Sequence, residues 1–300
     1  MDQVAGRNVL RAVSDCRSRG RRQGGRSAKG QRLARWWRER GYLPLSSLMI
    51  SVALCSLVSV PAEAVSWERL EAGDFVIFYA PGYERDARLL ASWVDDTRAL
   101  VHRFLEVDGL TTVRVYLHPK EDWSRSPYQA YAQPHDRSVH FLTPADSPNE
   151  SVWYRKNLIH EYGHLVVKHR MGRKFWGYRH LPDWFEEGLV EYIAVMASDD
   201  EIRRNYRHYF DEMKTVVHRG DTSFLFRTNV YAWGIFTIAF FLDRYGHQAL
   251  LDLLGSRART FAQAFEQVTG LTAGEFSGEW AAWLPEYIDT LDWVRGASRQ

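Results

Sequence analysis

The sequence predicts an α+β fold in which a small mixed sheet with a helix is followed by a mostly helical region. Segments rich in β-branched and aromatic residues come first, and from residue 152 onward the apolar residues recur almost entirely at helical spacing. Strands first and helices afterwards favour α+β. We therefore expect one body domain, 65–300, with an α+β part at 65–150 and a helical part at 151–300.

The first 64 residues are a basic leader followed by an apolar stretch. Residues 1–40 carry 12 Lys or Arg against three Asp or Glu, whereas residues 65–300 carry 27 against 33. The uncharged run 43–60 ends at Pro61 and an A-x-A cleavage signal, so we expect a signal peptide cut after Ala64 and a secreted or periplasmic body. The alternative is an uncleaved membrane anchor that holds the body outside the cytoplasm.

Charge and cysteine content narrow the function classes. The sequence pI of about 8.5 comes from the leader, and the body is mildly acidic, so we expect no nucleic-acid partner. The two cysteines, Cys16 and Cys55, both precede the expected cleavage point. The mature body would therefore contain neither a disulfide nor a cysteine nucleophile.

The elements of the body follow from local composition. Helical spacing predicts one helix over 84–106, and the segment 119–136, rich in Pro, Ser and Asp, is expected to be a loop. Helices are expected from residue 152 onward, including 181–196 and 230–246. Strands are predicted from their β-branched and aromatic residues at 74–80, 111–119 and 137–144.

The segment KNLIHEYGHLVVKHR, 156–170, carries the pattern H-E-x-x-H. Residues four apart share a helix face, so His160 and His164 can bind one metal ion, and Glu161 lies about 100° further round, within reach of a metal-bound water. Gly163 costs a helix about 1 kcal/mol relative to Ala, which predicts a close approach at this position. The alternative is a surface helix with a chance pair of histidines.

A third ligand is expected downstream, because a catalytic zinc usually has three protein ligands. The predicted helix 181–196, LPDWFEEGLVEYIAVM, places Glu187 and Glu191 four apart on one face, while Glu186 is expected to point elsewhere. Carboxylates on an otherwise apolar helix need a cation or hydrogen-bond donors. The alternative is a solvated acidic stripe.

The two motifs HEYGH and LPDWFEEGLVEY resemble those of the gluzincin zinc metallopeptidases, most closely the peptidase MA-like family of bacteria. The resemblance covers about 150–280, and it is more diffuse over 230–246 and 250–280. The spacing from His164 to Glu187 is longer than in gluzincin aminopeptidases, and a G-x-M-E-N-type motif is absent from the sequence. Aminopeptidase activity is therefore not expected.

The resemblance implies a zincin-like fold and a Zn²⁺ ion. Its ligands would be His160, His164 and Glu187, the glutamate that directly precedes the glycine of the W-x-x-E-G stretch. Glu191, one turn later, matches a position at which related enzymes place an acid against a ligand histidine. Such an acid fixes the tautomer of the imidazole.

Together these features predict a zinc-dependent peptidase with a peptide or protein substrate. Glu161 is expected to take a proton from the attacking water and to deliver it to the leaving amine. The oxyanion needs one donor besides the metal, and Tyr231, at the start of a predicted helix, is the candidate. Tyr178 and His180, in the loop before residue 181, are alternatives.

The predicted strand before the metal helix offers a substrate site. In metalloproteases of this general build, an edge strand binds the substrate as an added strand. We therefore expect main-chain contacts from Val139, His140, Phe141 and Leu142 to set the direction of the substrate. The alternative is an edge strand without this role.

The sequence leaves two alternative functions. The first is a catalytically silent metal- or protein-binding scaffold of the same fold in the cell envelope, which would have no need of Glu161 as a base. The second is a membrane-embedded protease, which the charges of Lys156, Lys168 and Arg170 around the metal helix argue against. Membrane contact is expected only through an uncleaved N-terminal segment.

Overall fold

The chain divides into two units, 1–64 and 65–300, and the described residues all belong to the second. The predicted leader and its cleavage point therefore lie outside them. Within the described ranges, none of the helices is long and apolar enough to cross a membrane. The computed structural model describes residues 66–108, 110–119, 130–142, 150–172, 181–219 and 230–291.

A mixed five-stranded sheet forms the first part of the second unit. Its strands are β1 (Glu68–Ala72), β2 (Phe75–Tyr79), β3 (Val113–His118), β4 (Ala130–Gln133) and β5 (Ser138–Leu142). Their spatial order is β1-β2-β3-β5-β4. The central pairs β2–β3 and β3–β5 are parallel, and the outer pairs β1–β2 and β4–β5 are antiparallel. The predicted small mixed sheet is thus confirmed.

Three strands lie where the sequence predicts them, and two were not predicted. β2, β3 and β5 match the predicted strands. β1 has the charged sequence ERLEA, and β4 has the sequence AYAQ, so neither has the β-branched content that indicates a strand. The prediction of a loop over 119–136 is wrong for residues 130–133, which are held as a strand by pairing with β5.

The helices follow the sheet in sequence, as predicted, except for two that lie between β2 and β3. They are α1 (Glu84–Ala91), α2 (Val94–Leu105), α3 (Glu150–Met171), α4 (Asp183–Val195), α5 (Asp200–Asn205), α6 (Arg207–His218), α7 (Val230–Gly255), α8 (Phe261–Thr269) and α9 (Ala273–Thr290). The single helix predicted over 84–106 is wrong, because it is interrupted after Ala91. There the Ser92 hydroxyl donates to the carbonyl of Leu89 at 2.6 Å and competes with the helical backbone bonds.

One face of the sheet packs against α3, the helix that carries the H-E-x-x-H pattern. The ring of Tyr154 lies 5.8 Å from that of Phe141 on β5, and the ring of Tyr162 lies 5.1 Å from that of Phe75 on β2. All four of these side chains are fully buried. Residues two positions apart on a helix lie about 200° apart around its axis, so His160 points to the other side of α3 from Tyr162, away from the contact with Phe75.

Glycines set the spacing of α3, α4 and α7. A Cβ on Gly163 of α3 would lie 3.1 Å from Cγ1 of Val190 on α4, so the close approach that the sequence predicts at Gly163 is confirmed. Gly188 of α4 meets Gly234 of α7 backbone to backbone, and a Cβ on Gly188 would lie 2.6 Å from the Cα of Gly234. These contacts bring one face of α4 against α3 and another against α7.

Candidate metal centre

Three side chains from α3 and α4 converge on one point. The Nε2 atoms of His160 and His164 lie 3.3 Å apart. Oε2 of Glu187 lies 3.2 Å from the first of these nitrogens and 3.5 Å from the second. The three donor atoms form a nearly equilateral triangle, which is the arrangement that a single small cation requires. Their role as ligands stays a prediction.

The site is buried rather than solvated. His160, Glu161 and His164 are 4%, 6% and 9% exposed, so the alternative of a surface helix with a chance pair of histidines does not fit the structure. Glu191 is fully buried, which also contradicts the alternative of a solvated acidic stripe. Buried ionisable groups need partners or a cation.

The net charge of the site suits a divalent cation. Oε2 of Glu187 is buried, and no described group forms a hydrogen bond of good geometry with it. Two lysines and four glutamates surround the two histidines, so the site carries a net charge of −2 when the histidines are neutral. A divalent ion balances that charge and gives Glu187 Oε2 a partner. The residues therefore fit a metal ion.

Glu161 lies beside the triangle. One of its carboxylate oxygens and a ring nitrogen of each histidine all lie within 4.8 Å of one another. A carboxylate at that distance reaches a water molecule placed at the centre of the site. Its assignment as a base, with Glu187 as the ligand, stays a prediction.

The Nδ1 atom of each histidine, on the side of the ring opposite the triangle, contacts a carboxylate of α4. Nδ1 of His160 lies 2.6 Å from Oε2 of Glu191, and Nδ1 of His164 lies 3.0 Å from Oε1 of Glu186. The structure thus places Glu191 against His160, the pairing that the resemblance implies. The expectation that Glu186 points elsewhere is wrong, because α3 and α4 lie close enough for both Glu186 and Glu187 to reach His164.

Each of these carboxylates is also paired with a lysine of α3. Nζ of Lys156 lies 2.6 Å from Oε2 of Glu191, and Lys168 forms an ion pair with Glu186. Sequence reasoning treated the two lysines only as charges that oppose membrane insertion. A signal was present, because Lys156, His160, His164 and Lys168 follow one another at intervals of four and therefore form one stripe of the helix.

The neighbouring charges in the site shift the pKa values of its ionisable groups so that the charged forms are favoured. Burial lowers the pKa of His164, but the adjacent carboxylates of Glu186 and Glu187 outweigh it and raise the pKa to about 10. Burial raises the pKa of Glu191, but Lys156 and then His160 outweigh it and lower the pKa to about 2. The pKa of Glu187 is also lowered, because the effect of both imidazoles exceeds that of burial. A metal ion must therefore displace protons from the histidines.

A cleft of about 310 Å³ opens onto the triangle. Tyr231, the second residue of α7, lines it, and its ring lies 5.8 Å from the ring of His160. The Tyr231 side chain is 39% exposed, so it faces the solvent side of the site. The alternative donors, Tyr178 and His180, lie outside the described residues.

The wall of the cleft opposite the helices comes from β4 and the turn after it. Ala130, Tyr131, Ala132 and Pro134 line this wall. β5 is paired with β3 on one side and with β4 on the other, so the prediction that Val139, His140, Phe141 and Leu142 form an edge strand is wrong. Val139 and Phe141 belong to the core, and His140 stacks between the rings of Tyr116 and Tyr131 on the opposite face.

Comparisons with known proteins give little further information. No protein-family model matches the chain, and no curated protein matches it. Among solved structures, an aminopeptidase N family protein from Idiomarina loihiensis is similar over 76% of this chain and 43% of its own, with 13% identity and a TM-score of 0.33. The chain thus spans less than half the length of that protein. Similarity of this extent does not establish a shared fold or activity.

Proposed function

We propose that the chain is a zinc-dependent peptidase of the gluzincin type. The observation that carries the proposal is the triangle of Nε2 of His160, Nε2 of His164 and Oε2 of Glu187, with sides of 3.2, 3.3 and 3.5 Å. Tetrahedral zinc with ligand distances of about 2.0–2.1 Å separates its ligand atoms by about 3.3–3.4 Å. Two imidazoles and one carboxylate are also a known catalytic zinc set that leaves the fourth position open.

The residues around the triangle suit amide hydrolysis. A zinc ion held there would act as a Lewis acid and lower the pKa of a coordinated water to about 7. Glu161 accepts the proton of the attacking water and passes it to the leaving amine, since its carboxylate lies within 4.8 Å of both histidines. Tyr231 lines the same cleft and donates a hydrogen bond to the developing oxyanion.

The free edge of β4 is the proposed substrate site, in place of β5. One edge of β4 pairs with β5, and in the described part of the chain no strand pairs with the other edge. Ala130 and Ala132 line the cleft that contains the metal ligands, so an extended peptide added to β4 would pass the triangle. Small side chains at these two positions leave space for those of the substrate.

We also propose that the protein acts outside the cytoplasm after cleavage behind Ala64. The basic run, the apolar stretch and the A-x-A signal support this proposal. Mass spectrometry of the protein from its native host would then show Val65 as the first residue. Intact chain recovered from membranes would support the anchor instead.

The test of the proposed function compares the full-length chain with Glu161→Gln. Glutamine keeps the shape of the side chain but cannot accept the proton, so turnover of a peptide library is expected to fall by a factor of about 10²–10⁴. Zinc content is expected to be unchanged, because the three ligands are intact. Glu266→Gln, at an exposed position of α8, is the matched control and is expected to behave like wild type.

Two results would count against the proposed function. A scaffold predicts that neither wild type nor Glu161→Gln cleaves any peptide, although both bind zinc. Equal, non-zero turnover by the two proteins at equal zinc content would show that Glu161 is not the base. Zinc content is therefore measured on the same samples as turnover.

A further inference from the structure

Each candidate ligand histidine contacts one glutamate, which in turn contacts one lysine, and we call each such set of three residues an arm. In the first arm, Nδ1 of His160 lies 2.6 Å from Oε2 of Glu191, and the same oxygen lies 2.6 Å from Nζ of Lys156. In the second arm, Glu186 contacts His164 and Lys168. In both arms the lysine and the histidine come from α3, and the glutamate comes from α4.

The spacing on α3 makes the two arms mirror each other. Lys156 lies four residues before His160, and Lys168 lies four residues after His164. All four residues therefore occupy one stripe, with the histidines in the middle and a lysine at each end. The stripe faces the glutamates of α4, so each carboxylate lies between a lysine and a histidine.

The second arm uses both oxygens of its carboxylate. Oε1 of Glu186 accepts from Nδ1 of His164 at 3.0 Å, and Oε2 accepts from Nζ of Lys168. The side chains of Glu186 and Lys168 are only 15% and 11% exposed. Each oxygen has a different partner, so the carboxylate can rotate only by losing one of them.

We propose that Glu186 and Lys168 are positioning residues that hold His164 for metal binding, as Glu191 and Lys156 hold His160. This inference rests on the proposed function, since it concerns the same metal site. A carboxylate that accepts from Nδ1–H fixes the tautomer in which Nε2 carries the lone pair, and it also fixes the plane of the ring. The lysine holds the carboxylate in the rotamer that makes this contact.

Glutamine cannot replace Glu186 in this arrangement. If its amide oxygen accepts from His164, its NH₂ group faces the ammonium of Lys168, and two donors oppose each other. If the amide oxygen faces Lys168, the NH₂ group faces Nδ1, which must then be the acceptor. The proton would move to Nε2, and a metal could bind through that atom only after the preferred tautomer is reversed, at a cost in affinity. We therefore expect Glu186→Gln to weaken metal binding although it has the same shape.

The experiment measures zinc affinity of the full-length protein by competition with a chelator. Glu186→Gln is expected to weaken zinc binding by about 10- to 100-fold. Lys168→Met is expected to weaken it to a smaller extent, and Lys168→Arg is expected to restore it, because the guanidinium also pairs with the carboxylate. Asp183→Asn is the control, because it removes an exposed carboxylate from the first turn of α4, the helix that carries Glu186. It is expected to leave zinc affinity unchanged.

Two further readouts separate positioning from a structural role. Thermal unfolding of the metal-free variants is expected to stay close to wild type, and the absorption spectrum of the Co²⁺-loaded Glu186→Gln protein is expected to keep its tetrahedral bands. Glu187→Gln, which alters a ligand, is expected to lose those bands. Loss of zinc affinity that occurs only together with loss of the folded metal-free state would overturn the proposal.

The outcomes also separate this inference from the proposed function. If the wild-type chain binds zinc but hydrolyses no peptide, and Glu186→Gln weakens zinc binding, the peptidase function is contradicted and the positioning role of Glu186 is supported. If the wild-type chain hydrolyses peptides and Glu186→Gln leaves zinc affinity unchanged, only the positioning role is contradicted. A wild-type chain that binds no zinc contradicts both.

Discussion

The backbones of Gly188 and Gly234 touch where α4 crosses α7, and a Cβ on Gly234 would lie 2.3 Å from the Cα of Gly188. The next nearest atoms to that position are also backbone atoms, including the carbonyl oxygen of Trp184 at 3.1 Å. Glu187 precedes Gly188, and Tyr231 lies one turn before Gly234, so this crossing brings the third candidate ligand and the candidate oxyanion donor to the same cleft.

Gly234→Ala is expected to destabilise the protein. Backbone atoms cannot turn away as a flexible side chain can, so α4 and α7 must separate, at about 1–3 kcal/mol or more. Gly278→Ala is the matched control, because this glycine also lies inside a helix, α9, and a Cβ there meets nothing within 4 Å. It is expected to be neutral or to stabilise by up to about 1 kcal/mol. Urea unfolding of the two variants tests this, and equal effects would contradict the packing argument.

Zinc is expected to stabilise the folded chain. A ligand that binds only the folded state at 100 times its Kd adds about 2.7 kcal/mol, which for a domain of this size raises Tm by about 5–10 °C. Mg²⁺ prefers octahedral oxygen ligands and is expected to produce no such shift. Differential scanning calorimetry of the chelated protein, with each ion added back, makes the comparison. A zinc shift retained in Glu187→Gln would show that Glu187 is not a ligand.

His140 is expected to make the fold sensitive to acid. Burial and then the neighbouring His118 lower its pKa to about 4, and Asp136 opposes this only in part. In the unfolded chain the same group has the ordinary pKa of 6.5. Between these two values the unfolded state binds the additional proton, so the contribution of His140 is present above pH 6.5 and is lost as the pH falls toward 4.

The variant that isolates this effect is His140→Phe. Phenylalanine keeps a ring between those of Tyr116 and Tyr131, which flank His140 at 4.8 and 4.6 Å between centroids. The stability of the variant relative to wild type is expected to increase by about 1 kcal/mol between pH 7 and pH 4.5, with allowance for solvent screening. Urea unfolding at both pH values provides the measurement. A difference that does not change with pH would contradict the assignment.

The parts of the site that follow from helix geometry could be predicted. The i, i+4 rule places His160 and His164 on one face without any knowledge of the tertiary fold, and the glycine between them indicates a close neighbour. Glu186 was missed because the same rule was applied to α4 alone. A direction around one helix axis does not show what a second helix presents, and α3 presents both His164 and Lys168 to this residue.

The order of the strands could not be predicted from local sequence. β5 has the β-branched and aromatic residues of a strand, but nothing within SVHFL shows whether one or both of its edges are paired. β4 is four residues long, and its sequence AYAQ has no strong strand signal, so its position at the edge depends on its pairing with β5. The prediction that β5 is an edge strand was therefore wrong.

Tyr231→Phe tests the proposed oxyanion donor. Removing one such donor typically lowers kcat by a factor of about 10²–10³, because the hydrogen bond strengthens only as negative charge develops on the oxygen. KM and zinc content are expected to change little, since the ring remains next to His160 and the three ligands are untouched. The measurement is steady-state hydrolysis of the best peptide from the library by zinc-loaded protein.

Tyr206→Phe is the matched control for this experiment. Nζ of Lys156 lies 5.3 Å from the Tyr206 ring and 5.9 Å from the Tyr231 ring, so both tyrosines are close to the same arm of the site. Of the two, Tyr231 lines the cleft. A loss of kcat confined to Tyr231→Phe therefore identifies its hydroxyl as the donor. If Tyr231→Phe retains the wild-type kcat, the donor lies elsewhere, and Tyr178→Phe and His180→Gln are the variants to examine next. Equal losses in Tyr231→Phe and Tyr206→Phe would instead indicate that both rings act by packing against Lys156.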